Sequence, residues 1–120
     1  MKENVIKTKS FAFALKIVNL YKFLIKNKNE FVLSKQILRS GTSIGAMVCE
    51  SEHAESKSDF IHKLAIAQKE ANETGYWIEL LFQSKFVTLK SHGQITSDLS
   101  EIQKIISSII ISAKKNNNKL

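Results

Sequence analysis

No proline interrupts the 120 residues of this chain, and only four glycines do. Sandwiches, barrels and α/β units draw on both residue types for their many turns, whereas a few long helices need few turns. The length suits one domain. At this size about two-thirds of the unfolded surface can be buried, enough for a core without disulfides. The expectation is an all-α fold: a single antiparallel up-down four-helix bundle spanning residues 1–120.

Apolar periodicity places the helices at about residues 10–27, 34–54, 59–87 and 91–113. Residues 1–8 are polar and expected to fray, and the Lys/Asn-rich tail 114–120 is expected to be disordered. Ser10, Ser34, Ser56 or Ser58, and Ser91 are the expected helix caps, since a hydroxyl can accept from a free first-turn amide. Asp59 suits the first turn of the third helix. Short connections make consecutive helices antiparallel.

The first and last helices differ in a way that matters. In the last, Ile95, Leu99, Ile102, Ile105, Ile106, Ile109 and Ile110 form one stripe of roughly 140°, with Ile111 outside it. In the first, Leu20, Phe13, Leu24, Ile17, Tyr21, Ala14, Ile25, Val18, Phe11 and Leu15 sweep roughly 220°. A helix on the outside of one small bundle needs little more than about 100–140°. The excess predicts that the first helix meets another copy of the chain, making a homo-oligomer.

In the second helix Gly41, Gly45 and Cys49 stack four apart. Each glycine costs about 1 kcal/mol of helix propensity relative to Ala, which a closely approaching neighbour helix would justify. Cys49 is expected to be a buried structural thiol on this face. The third helix has its own small line, Ala67, Ala71 and Gly75.

No local pattern names a reaction. Gly41-Thr42-Ser43-Ile44-Gly45 lacks the lysine of a phosphate loop and sits mid-helix. Glu50-x-x-His53 and Asp59-x-x-His62 have metal-ligand spacing, but both pairs lie off the apolar faces and read as solvated polar surface. The expectation is no enzyme activity, no metal and no cofactor. One cysteine and the lack of an 18-residue apolar run fit a cytoplasmic chain that does not enter a membrane. The basic start (Lys2, Lys7, Lys9) before an apolar stretch makes a secretion signal the rival reading. Lys16 and Asn19 break that stretch at helical spacing, and no small-residue cleavage site follows.

Two polar constellations remain. Arg39, Ser43 and Glu50 share a strip of the second helix, with Glu70 and Glu73 of the third as partners for the arginine. A structural network is the favoured reading, with plain exposure or a ligand site as the others. The net charge is +7, and no acid occurs between Glu3 and Glu30 while six lysines do. Lys9, Lys16, Lys22 and Lys26 fall on one polar strip able to track phosphates. Few base-reading groups accompany them, so binding of RNA or DNA would be independent of sequence. A solvated lysine face is the plain alternative, and a protein-interaction scaffold is the alternative function.

Three stretches resemble a known family: ILRSGTSIGA over residues 37–46, DFIHKLAIA over 59–67, and KEANETGYWIELL over 69–81. They are similar to the bacterial four-helix-bundle proteins related to those encoded in intervening sequences of large-subunit ribosomal RNA genes, with accessory proteins of diversity-generating retroelements as distant relatives. The motifs are R-S-x-S/T-S-I-G-A and E-A-x-E-T-x-Y-W. Matching residues are Arg39, Ser40, Ser43, Ile44, Glu50, Glu70, Glu73, Tyr76 and Trp77, whereas Met47 and Gly75 depart from the pattern. The resemblance implies a four-helix bundle, a homopentameric barrel, no enzyme, and nucleic-acid binding in some relatives.

Overall fold

The computed structural model describes residues 2–118, and the side chains of residues 4–116. Among them are four helices and no strand: α1 (Lys2–Asn27), α2 (Leu33–Ser51), α3 (Lys57–Gln83) and α4 (Leu89–Asn118). Each packs on its neighbour in sequence, and α4 closes back on α1. At about 1.5 Å per residue the helices are rods, and the Cα trace measures 53 × 22 × 20 Å.

The core runs the length of the rod. Ile6, Phe13, Ile17 and Leu24 come from α1, and Ile37, Ile44 and Val48 from α2. Leu64, Ala67, Ala71, Ile78 and Leu81 come from α3, and Ile95, Leu99, Ile102, Ile106 and Ile109 from α4. Ile111 is exposed, outside the α4 stripe.

The small residues have a neighbour. A methyl group added at Gly41 would sit 2.8 Å from Cγ1 and 2.9 Å from Cγ2 of Ile17. At Gly45 it would sit 3.4 Å from the Ser10 carbonyl oxygen. The glycines therefore let α1 settle against α2, and no side chain could fill the space at Gly41 without moving a buried isoleucine.

The helix ends differ from the sequence expectation, each for a local reason. α1 begins at Lys2 and not near Ser10, because Ile6 is buried beside Val48, Leu64 and Ile109. Ser10 is a buried mid-helix residue donating to the Lys7 carbonyl. Ser34 does not cap α2; it lies inside the helix and donates to the Glu30 carbonyl at 2.8 Å. The cap is Glu30, whose carboxylate accepts from the Val32, Leu33 and Ser34 amides at 3.3, 3.1 and 2.7 Å. An acid beside free amides is favoured at a helix start.

α2 stops at Ser51 rather than Ala54. Ser56 does cap α3, accepting from the Asp59 amide at 3.0 Å. α3 ends at Gln83 rather than Val87. Lys85 turns left-handed there (φ 67°), and the Phe86 and Lys85 amides donate back to Leu81 and Phe82. These two bonds close a Schellman-type end. Thr88, not Ser91, opens α4, accepting from the Ser91 amide at 3.1 Å. The expected disordered tail is helical through Asn118, anchored by buried Ala113; residues 119–120 lie outside the described part.

Candidate nucleic-acid interface

The polar strip of α1 divides into two halves. Lys9 reaches Glu101 of α4 at 3.0 Å, and Lys16 reaches Asp98 of α4 at 2.5 Å. These pairs tie α1 to α4 along the body of the rod. Exposed pairs of this kind contribute about 0–1 kcal/mol. Lys22 and Lys26, nearer the end of α1, are exposed and form no ion pair among the described residues.

The up-down course of the helices adds to them. The α1–α2 and α3–α4 turns lie at the same end of the rod, so Lys28 and Lys35 join Lys85 and Lys90 there. All four are exposed, and none forms an ion pair among the described residues. Two acids share this end. Glu30 is turned inward as the α2 cap. Glu79 is held by Gln83 at 2.9 Å and by His92 at 2.9 Å. The hydrogen bond from Gln83, then that from His92, lowers the Glu79 pKa from its ordinary value. Six lysines thus form a positive end with its few acids already engaged.

A groove opens at this end between α1 and the α3–α4 turn. Its volume is about 460 Å³. Leu20, Phe86, Val87 and Ile95 supply apolar lining, and Lys16, Lys28 and Lys85 supply charge. Phe23 is partly exposed along it. The Lys28 ammonium lies 5.9 Å from the Phe23 ring centre, within cation–π range. Asn19, Ser91 and Gln94 add hydrogen-bonding groups.

The second constellation sits between α2 and α3. Arg39 Nη1 reaches Glu70 at 3.2 Å, and Nη2 meets Glu73. Beneath this pair the Thr74 and Ser40 hydroxyls are 2.9 Å apart, both fully buried. Ser43 and Glu50 stand apart from Arg39's acids. Ser43 donates to the Arg39 carbonyl at 2.6 Å. Glu50 pairs with Lys63 at 3.1 Å, a hydrogen bond that raises the lysine's pKa. The motif residues Arg39, Ser40, Glu70, Glu73 and Thr74 therefore join two helices. His53 and His62 are exposed, and Asp59 accepts from the Glu55 amide.

The outer side of α1 is apolar in its first half. Phe11 is 65% and Leu15 53% exposed. Beside them lies a shallow groove of about 550 Å³, lined by Phe11, Ala14, Gly45, Ala46 and Cys49. Cys49 is exposed here and not a buried thiol. Gly41 and Gly45 lie against Ile17 and Ser10 of α1, whereas Cys49 borders the open groove.

Sequence spacing alone did not identify Lys35, Lys85 and Lys90. They are scattered along the chain, and only the antiparallel course gathers them. The signal was available in the odd-numbered turns, which must share an end in an up-down bundle.

The model of the family described as 23S rRNA-intervening sequence protein matches residues 2–108. Among solved structures, a crystal structure from Bacteroides thetaiotaomicron VPI-5482, a protein of unknown function from the S23 ribosomal protein family, is 58% identical. The match covers 92% of this chain and 98% of that one, with a TM-score of 0.91. A search of curated proteins found no match.

Proposed function

The chain belongs to the 23S rRNA-intervening sequence protein family, and for this member we propose a non-catalytic, homo-oligomeric module that binds nucleic acid through its lysine-rich end. The observation that carries the reading is the gathering of Lys22, Lys26, Lys28, Lys35, Lys85 and Lys90 at one end without acidic partners. Clustered cations release counterions from a phosphate backbone, which drives binding independent of base sequence. Lys9 and Lys16 are secondary in this reading, because Glu101 and Asp98 already hold them.

The exposed Phe11 and Leu15 support self-assembly. Fully burying a side chain of this size contributes about 1.5–3 kcal/mol, gained at each subunit contact. Five copies is the order the family resemblance implies. Repeating one basic end several times raises avidity without any new contact. A scaffold for another polypeptide is the second reading, supported by the same apolar side of α1; it predicts a co-purifying protein and weak nucleic-acid binding.

Light scattering of the protein alone and with structured RNA tests both halves. The expected result is a mass several times the 13.6 kDa of one chain, rising further with RNA. A 13.6 kDa particle indifferent to RNA contradicts the proposal.

A further inference from the structure

We infer that the groove between α1 and the α3–α4 turn receives an unpaired nucleobase, so that the protein prefers single-stranded nucleic acid over duplex. The inference rests on the nucleic-acid reading above and names the form of ligand. Three observations carry it.

The groove combines apolar and charged lining. Its volume of about 460 Å³ lies in the range of about 300–1,000 Å³ typical of small-ligand sites. Its floor is apolar, and Phe23 stands at its side, partly exposed on a surface otherwise rich in lysine. An aromatic ring beside a basic track is the arrangement that stacks bases of single strands.

Two turns contribute charge to the groove lining. Lys28 comes from the α1–α2 turn and Lys85 from the α3–α4 turn. Neither has an ion-pair partner among the described residues. A strand with one base in the groove has phosphates on each side of that base. A duplex has the same phosphates, but its bases are stacked and paired and cannot enter.

The polar lining does not choose among bases. Asn19 and Gln94 carry amides that both donate and accept, and Ser91 adds a hydroxyl. Such groups can meet the edge of any base, so the preference is for strand form and not for sequence.

The test compares three probes by fluorescence anisotropy: a labelled mixed-sequence single strand, the matching duplex, and inorganic polyphosphate as a competitor with charge but no base. The wild-type protein is expected to bind the single strand at least tenfold more tightly than the duplex. Loss of one stacked base costs roughly 1–3 kcal/mol, so Phe23→Ala should weaken single-strand binding about 5- to 150-fold. Duplex affinity and competition by polyphosphate should not change. Phe23→Trp keeps a stacking surface and should retain wild-type affinity. Circular dichroism checks that Phe23→Ala remains folded.

Equal affinity for single strand and duplex, or a Phe23→Ala effect equal on all three probes, overturns the inference and leaves the phosphate-binding proposal standing. No binding of any probe overturns both.

Discussion

The side-chain oxygens of Ser40 on α2 and Thr74 on α3 meet at 2.9 Å inside the bundle, where neither residue is exposed. Thr74 Oγ1 is also 2.8 Å from the Glu70 carbonyl oxygen. Removing the Thr74 hydroxyl leaves the buried Ser40 hydroxyl without this partner, at about 1–3 kcal/mol, whereas replacing both by apolar groups can be nearly neutral. Thr74→Val should therefore destabilise the protein by about 1–3 kcal/mol. Adding Ser40→Ala to it should restore at least half of the loss. Urea unfolding of the two single variants and the double variant reads this directly; additive losses would show that the pair is not a unit.

Two glycines should respond in opposite directions. Gly41→Ala brings a methyl group to 2.8 Å from Ile17. Overpacking of a close contact costs about 1–3 kcal/mol, which outweighs a propensity gain of about 1 kcal/mol where the neighbour is a buried side chain, so the variant should lose stability. Gly93 has nothing within 4 Å of an added methyl and lies in α4. Gly93→Ala should gain about 0.5–1 kcal/mol. Thermal melts of the pair should move in opposite directions.

The α2 start depends on one carboxylate. Glu30→Ala frees the amides of Val32, Leu33 and Ser34, and loss of a cap costs about 0.5–2 kcal/mol. Glu30→Gln keeps an acceptor and should recover part of that. Amide exchange at residues 32–34 should quicken in the alanine variant before the rest of α2 responds.

Glu79 offers a titration test. Its pKa is lowered, by Gln83 first and His92 second. A lowered carboxyl pKa means that the interaction is present above the ordinary carboxyl range and is lost as pH falls through the lowered value. Gln83→Ala should return the Glu79 titration, followed by carboxyl NMR, toward its ordinary value. An unchanged titration would show that Gln83 does not hold this carboxylate.

Much of this architecture was legible in residue spacing, and the exceptions share a cause. The period of Ile37, Ile44 and Val48 and the α4 isoleucines placed the helices and their buried faces, because side-chain period follows backbone geometry. Arg39 lay on a strip whose acids, Glu70 and Glu73, were identifiable from the same geometry. Helix ends were harder. Ser34 and Ser91 looked like caps by residue type, but Glu30 and Thr88 hold the free amides, and a cap is decided by reach rather than by type. The lysines show the same limit. Lys9 and Lys16 looked equivalent to Lys22 and Lys26 until α4 placed Asp98 and Glu101 beside the first two. Cys49 looked buried because it continued the line of Gly41 and Gly45, yet it borders an open groove.

Self-assembly has its own test. Phe11→Asp combined with Leu15→Glu charges the outer side of α1 without touching the buried face. The expected product is a folded, smaller particle by sedimentation. An unchanged particle would place the subunit contact elsewhere.

Whether one end of the bundle holds a phosphate backbone is read from RNA affinity across a salt series. Wild type is compared with Lys22→Glu/Lys26→Glu/Lys28→Glu/Lys85→Glu and with the control Lys9→Glu, outside the groove. Wild-type affinity should fall steeply with salt, and each lost contact should flatten the log–log slope by about 0.7–0.9. The four-site variant should lose binding while the control keeps most of it. Equal binding by wild type and the four-site variant, or affinity indifferent to salt, would mean that this end does not hold the phosphate backbone.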